Sequence, residues 1–335
     1  MSNIPAVSVI IPMYNVEKYI QTCLDSIFQQ TFKDFEVIIV DDCSTDRSLE
    51  IIESYHDSRI KLHRNVKNLG AAMTRNRGLS LTSESKYIYF MDSDDAIVSQ
   101  TIETLFNSAE ELQSEVVYMN SRFIANDPNF KFNGHMEVSK MESSDPTPRF
   151  LSENMIERLQ HEFIGAGIFG ESWIKIQRRD FLLENQIVYP DVFCSSDLIM
   201  NLAILLTAKN IRVIDFCGYI YRQNPDSISH SSNEKYLRGT LDYISKIVSC
   251  VEKFATNLSL ENQMILEAAT LTPMVISHFV YSNLSFDEKN QILQKFFDHP
   301  SEMNPEIFRA IFESFMLFAT ECINPKRKSI FNLKE

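Results

Sequence analysis

The sequence predicts an α/β protein: a doubly wound, mostly parallel sheet with a C-terminal helical extension. Three observations carry this reading. Short apolar runs alternate with stretches whose apolar residues recur at helical spacing. Polar clusters follow directly after three of those runs. From Asn233 onward helical periodicity stands alone. Strands alternating with helices imply right-handed crossovers, and ligands of such sheets gather past the carboxyl ends of the strands. The expected division is 1–230 for the sheet domain that carries the site and 231–335 for the helical region.

Taken in order, Val7-Ser8-Val9-Ile10-Ile11 is an apolar run stopped by Pro12, as in a central strand buried on both faces. Glu17 to Gln30 places Tyr19, Ile20, Leu24, Ile27 and Phe28 on one helical face. Then come a strand (Phe35 to Val40), a helix (Thr45 to His56), a short strand (Ile60 to His63), a helix (Leu69 to Leu81) and a fourth strand (Lys86 to Met91). Glu115 to Ile124 reads as a further strand. Asn126 to Arg149 holds Asp127-Pro128, Asn133-Gly134, Pro146 and Pro148, the composition of a loop or irregular hairpin. Leu198 to Ala208 is an apolar helix. In the tail, Leu237, Leu241, Ile244 and Val248 recur at helical spacing, and Phe-rich helices follow.

The chain of 335 residues allows one large or two modest domains. Its 44% hydrophobic and 23% charged residues suit a globular protein with a sizeable core. A net charge of -13 argues against a general nucleic-acid binder, which needs a basic face. The six cysteines are scattered with no CxxC pair, so buried free thiols in a reducing compartment are expected rather than disulfides or zinc. The apolar stretch Val7 to Pro12 is too short for a signal peptide and lacks a basic leader, and no run is long enough to span a membrane. A cytoplasmic protein is expected. Lys326-Arg327-Lys328 beside Ile330, Phe331 and Leu333 leaves peripheral contact with the inner face of the membrane open.

The three clusters are Pro12-Met13-Tyr14-Asn15, Asp41-Asp42-Cys43-Ser44-Thr45-Asp46 and Asp92-Ser93-Asp94-Asp95. The third packs three carboxylates into four positions. Their mutual repulsion calls for water or a hard divalent cation, and an oxygen-only donor set suits Mg²⁺ or Mn²⁺. Alone, such a cluster is more often a solvated acidic turn capping the next helix. Three clusters at equivalent topological positions make a site.

These clusters, with Asn68-Leu69-Gly70 and Arg75-Asn76-Arg77-Gly78 between them, resemble the ordered signature of family 2 glycosyltransferases. That family comprises inverting nucleotide-sugar transferases of the GT-A (Rossmann-like) fold. The resemblance implies a UDP-sugar donor. Pro12, Tyr14 and Asn15 would then line the nucleobase end, where Tyr14 either stacks on uracil or packs at the sheet edge. Asp42 would accept the uracil N3–H, with Asp41 structural and Ser44 or Thr45 capping the next helix. Gly70 would let the backbone approach the donor. Arg75 would either fork onto the diphosphate or pair with the acidic strand ends. Asp92 and Asp94, flanking Ser93, would hold ribose, metal and diphosphate, with Asp95 assisting or capping the helix near Ser99.

The resemblance continues through Ser172-Trp173-Ile174-Lys175, where Trp173 follows Gly165, Gly167 and Gly170 and reads as a sugar platform rather than core. At Ser195-Ser196-Asp197-Leu198 many relatives carry Glu-Asp; here Ser196 replaces the Glu and Asp197 keeps the second position, as the expected catalytic base. Asp191 is the reserve. Arg222 or His230 would reach the departing diphosphate. The implied acceptor is a glycan or lipid-linked glycan, such as a lipooligosaccharide, capsule or O-antigen precursor. The C-terminal helices form a small packed domain, a homodimer face or a membrane-resting surface. Two alternatives stand beside this: a non-catalytic sugar-nucleotide-binding protein, and a sugar-1-phosphate nucleotidylyltransferase. The latter expects a Gly-rich, basic loop after the first strand, which Pro12-Met13-Tyr14-Asn15 is not.

Overall fold

The computed structural model describes residues 4–125, 149–150, 170–192, 196–222, 246–247 and 249–256. The chain forms two compact units: Met1–Asp191 with Ser196–Ser227, and Val192–Ser195 with Ile228–Glu335. In the second, Ile247, Cys250, Val251 and Ala255 are buried at helical spacing. The site lies in the first.

Four parallel strands form one half of the sheet: β1 (Val7–Met13), β2 (Phe35–Asp41), β3 (Ile60–Arg64) and β4 (Tyr87–Phe90). β1 lies between β2 and β4, and every residue of β2 is buried, which accounts for the apolar run at 37–40. Beyond β4 the sheet changes sense. β8 (Lys175–Arg178) runs antiparallel between β4 and β6 (Val116–Ala125). β9 (Ile211–Arg222) lies parallel to β6, and β5 (Ala96–Ile97) and β7 (Arg149–Phe150) pair antiparallel with β9. The path is β3-β2-β1-β4-β8-β6-β9-β5.

The helices are α1 (Ile20–Phe28), α2 (Ser48–Glu53), α3 (Gly70–Leu81), α4 (Thr101–Glu111), α5 (Arg179–Glu184) and α6 (Ser196–Thr207). α3 packs on β1 and β2. Its Gly78 makes this possible: a Cβ there would stand 2.4 Å from Ile10 Cγ2.

Three expected boundaries move. β1 runs through Pro12 to Met13. Pairing with β4 ends at Ile10, so the missing N–H of Pro12 removes no bond on that side. α1 and α2 each start three residues later than their periodicity suggested, because the residues before them bond to each other instead, as described next. Among the described residues no helix is long and apolar enough to cross a membrane.

Candidate active site

The loops after β1 and β2 are stitched together. Ser44 Oγ accepts the Asn15 N–H at 3.0 Å, and Asn15 Oδ1 accepts the Thr45 N–H at 2.8 Å. Asn15 takes the left-handed conformation, φ 51°, which asparagine tolerates. Asp46 accepts Glu17 N–H at 2.9 Å with one oxygen and Ser48 N–H at 3.0 Å with the other. Burial opposes its charge, but these bonds outweigh burial and hold the Asp46 carboxyl below its ordinary value. Asp46 therefore takes the first N–H of α2, and Ser44 and Thr45 are spent on the neighbouring loop. Tyr14 projects from this seam, half exposed, beside partly exposed Pro12.

Asp42 is buried and organises the next loop. Its Oδ1 accepts Asn65 Nδ2 at 2.6 Å and Leu69 N–H at 2.8 Å; its Oδ2 accepts Gly70 N–H at 2.8 Å. Gly70 starts α3 at φ +79°, where a side chain would be strained. Asp41 is fully buried; its carboxylate accepts Ser44 N–H and pairs with Arg64 at 3.0 Å, a structural role.

Arg75 lies further along α3, one and a half turns from Gly70, an axial rise of about 7.5 Å. It is 6% exposed. Its Nη2 meets Asp92 Oδ1 at 2.5 Å, and its Nη1 stands 3.8 Å from Asp197 Oδ1. Of the two readings of Arg75 left open by the sequence, the ion pair is the contact made here. Ser93 is buried and Asp94 partly exposed. Arg222 is buried, lies over the Tyr19 ring at 5.1 Å and donates through Nε to the Asp94 carbonyl at 2.8 Å.

Asp95 neither joins the open cluster nor caps the helix near Ser99. It is 1% exposed and accepts Tyr219 O–H and Arg222 N–H, each at 2.7 Å. Burial, with the charges of Asp94 and Asp92, pushes its carboxyl well up. The acidic cluster is therefore not held by water or a cation alone, as its sequence suggested. Arg75 balances Asp92, and Asp95 is withdrawn into the protein.

Asp197 opens α6 with its side chain 28% exposed, accepting Ser196 Oγ–H at 3.1 Å. Lys175 enters the same region unforeseen. It is 1% exposed, donates to the Glu171 carbonyl at 2.7 Å and lies 5.5 Å from the centre of the Tyr118 ring. Tyr118 O–H donates to Asn201, one turn beyond Asp197, at 2.6 Å. Burial lowers the Lys175 ammonium to about 8, against the opposing pull of Asp197 and Glu171. A lysine flanked by Ile174 and Ile176 was the available signal. Tyr189 is locked to α3, its N–H and carbonyl bonded to Asn76 at 2.9 and 2.8 Å. Asp191 beyond it is exposed.

Trp173 is a correction. It is 3% exposed and stacks on Tyr219 with ring centres 3.9 Å apart, so it packs in the core and offers no sugar platform. Gly165, Gly167, His230, the loop 126–148 and the basic tail lie outside the described residues. No group of three or more His, Cys, Asp or Glu among the described residues forms a ready metal cage.

One helix, α3, thus links the loop beneath Asp42 to Asp92 and Asp197 past the strand ends. A half-parallel sheet with carboxylates converging there is the site of a Rossmann-like, GT-A protein. Residues 8–174 match the family described as Glycosyl transferase family 2, and the chain belongs to that family. It is 32% identical over 229 residues to the uncharacterized glycosyltransferase EpsJ of Bacillus subtilis, covering 68% of this chain and 63% of that one. It is 32% identical over 223 residues to the poly(ribitol-phosphate) beta-N-acetylglucosaminyltransferase TarS of Staphylococcus aureus, covering 64% of this chain and 35% of TarS. The match thus spans less than two thirds of either relative. The crystal structure of TarS 1-349 in complex with UDP superposes with a TM-score of 0.60 at 26% identity, over 85% of this chain and 77% of that one. The same fragment with UDP-GlcNAc gives a TM-score of 0.66 at 24% identity, over 90% and 82%, a likeness of fold.

Proposed function

We propose that this chain is an inverting glycosyltransferase that moves a sugar from a UDP-sugar to a hydroxyl of a bacterial surface glycan. The observation that carries it is α3, which joins the Asp42 loop to Asp92 and Asp197 within one unit. Uracil would lie against Tyr14, with its N3–H directed to Asp42 Oδ2, which accepts one bond and has room for another. Stacking on an exposed aromatic contributes about 1–3 kcal/mol. The glycosyltransferase relatives support the activity, and the UDP-bound TarS structure supports the donor class.

Asp92 and Asp94 would hold Mn²⁺ or Mg²⁺. Two carboxylates offer the oxygen ligands that fit a hard cation, and the diphosphate oxygens would complete its shell. Bound there, the cation would neutralise charge on the departing UDP. Asp197, partly exposed at the start of α6, would take the proton of the acceptor hydroxyl as that oxygen attacks the anomeric carbon. Arg222, already on the Asp94 backbone, steadies the loop that carries this end of the donor.

The test is UDP release from a panel of UDP-sugars, with Mn²⁺ and with chelator. Donor-dependent, chelator-sensitive release is expected. UDP binding without turnover on any donor would leave a sugar-nucleotide-binding protein, and absence of UDP binding would overturn the proposal. Asp94→Ala should abolish cation-dependent UDP binding by calorimetry. Asp197→Asn should keep UDP binding and lose transfer; near-normal turnover would remove it as the base.

A further inference from the structure

We infer that Arg75 is a positioning residue that couples the donor pocket to the base, because one buried guanidinium serves Asp92 and Asp197 together. The roles of its two ends rest on the function proposed above; the coupling itself does not.

The geometry leaves Arg75 little freedom. It is 6% exposed, so its charge has almost no water to fall back on. Asp92 takes Nη2 at 2.5 Å, while Asp197 stands 3.8 Å from Nη1, inside ion-pair range but beyond a hydrogen bond. Nε meets no hydrogen-bond partner among the described residues. Tyr189 lies under the guanidinium at 5.4 Å from its ring centre. That ring is fixed at both ends: its hydroxyl bonds Ser172 Oγ at 2.9 Å, and its backbone bonds Asn76, the residue after Arg75.

Two carboxylates therefore share one cation that cannot leave. A cation–diphosphate that claims Asp92 must change the hold of Arg75 on Asp197. Conversely, loss of the Asp197 charge makes Arg75 grip Asp92 harder and compete with the incoming cation. Coupling of this kind is reciprocal by necessity. Donor loading would adjust the base before the acceptor arrives.

A ligand-free test comes first. Asp92→Asn, Asp197→Asn and the double variant are unfolded in urea near neutral pH. With either carboxylate left, Arg75 keeps a partner; with neither, a buried cation is abandoned. The double variant should lose more stability than the sum of the single losses; should it not fold in water, all four proteins are compared in the same concentration of a stabilising osmolyte, where the cycle is again measurable. Additive losses would overturn the inference, whatever the substrate. Calorimetry with UDP and Mn²⁺ then reads the link directly. Asp197→Asn should weaken UDP at least about fivefold, the low end of ordinary coupling. In an Arg75→Lys background, which keeps charge but not the fork, the same substitution should change affinity by less than about twofold. Equal effects in both backgrounds would overturn the coupling. A wild-type protein that binds no UDP defeats the donor reading alone, and the urea cycle still decides the coupling.

Discussion

Lys175 is a lysine with almost no contact with water, and its chemistry follows from that. Its ammonium, lowered to about 8 by burial, titrates in the native protein well before it does in the unfolded chain, whose ordinary value is about 10.4. Between those values the unfolded chain binds more protons, so this group's contribution to stability rises with pH across that window. Urea unfolding at pH 7.5 and pH 9.5 should show a rise in wild type relative to Lys175→Met, which lacks the titrating group. A constant difference between the two proteins would contradict the assignment. Asp95 teaches a related lesson. Asp92 and Asp94 are partly exposed, yet the oxygens of Asp95 are satisfied by Tyr219 and the Arg222 backbone. Nothing in Asp92-Ser93-Asp94-Asp95 distinguishes the carboxylate that turns inward. The partners arrive from β9, more than a hundred residues later.

At the scale of elements, α3 is where fold and site meet, and two of its glycines do separate work. Gly78 lets it lie against β1. Gly78→Ala should cost roughly 1–3 kcal/mol through overpacking, and Ile10→Leu, which removes the opposing Cγ2 branch at nearly constant volume, should recover part of it in a denaturation series. Gly70 faces open space, so its requirement is conformational. Gly70→Ala should cost roughly 1–2 kcal/mol through the left-handed φ and should also weaken UDP binding, since the Gly70 N–H holds Asp42. The strands and helices through Met91 were legible because buried parallel strands are apolar runs and amphipathic helices repeat every 3.6 residues. Their starts were less so. Asp46 and Glu17 draw backbone N–H groups into a loop-to-loop seam, a tertiary event that no local window contains. The antiparallel β8 was likewise hidden inside a stretch read as motif, because pairing sense is a property of two strands and not of one.

For the whole molecule, the acidic balance matters most. On the function proposed above, a chain of net charge -13 would receive a diphosphate only with help. UDP and Mn²⁺ together should therefore raise the melting temperature where neither does so alone, since a ligand at about a hundred times its Kd adds about 2.7 kcal/mol. Scanning fluorimetry of the four combinations checks this, and an equal shift with UDP and chelator would contradict it. The convergence of the three clusters was legible because strand ends of one parallel sheet must meet at one edge. What could not be read was the wiring between them. Arg75 was visible as a cation near acids, but its choice of Asp92 and its reach to Asp197 depend on where α6 lands.

The chain contains a single tryptophan, and it lies face to face with Tyr219, whose hydroxyl grips the aspartate adjoining the Asp-Ser-Asp turn. Trp173 is thus a natural optical gauge. Its emission colour and lifetime will register any rearrangement of that turn as ligands come and go, with no dye attached and no competing indole elsewhere in the polypeptide.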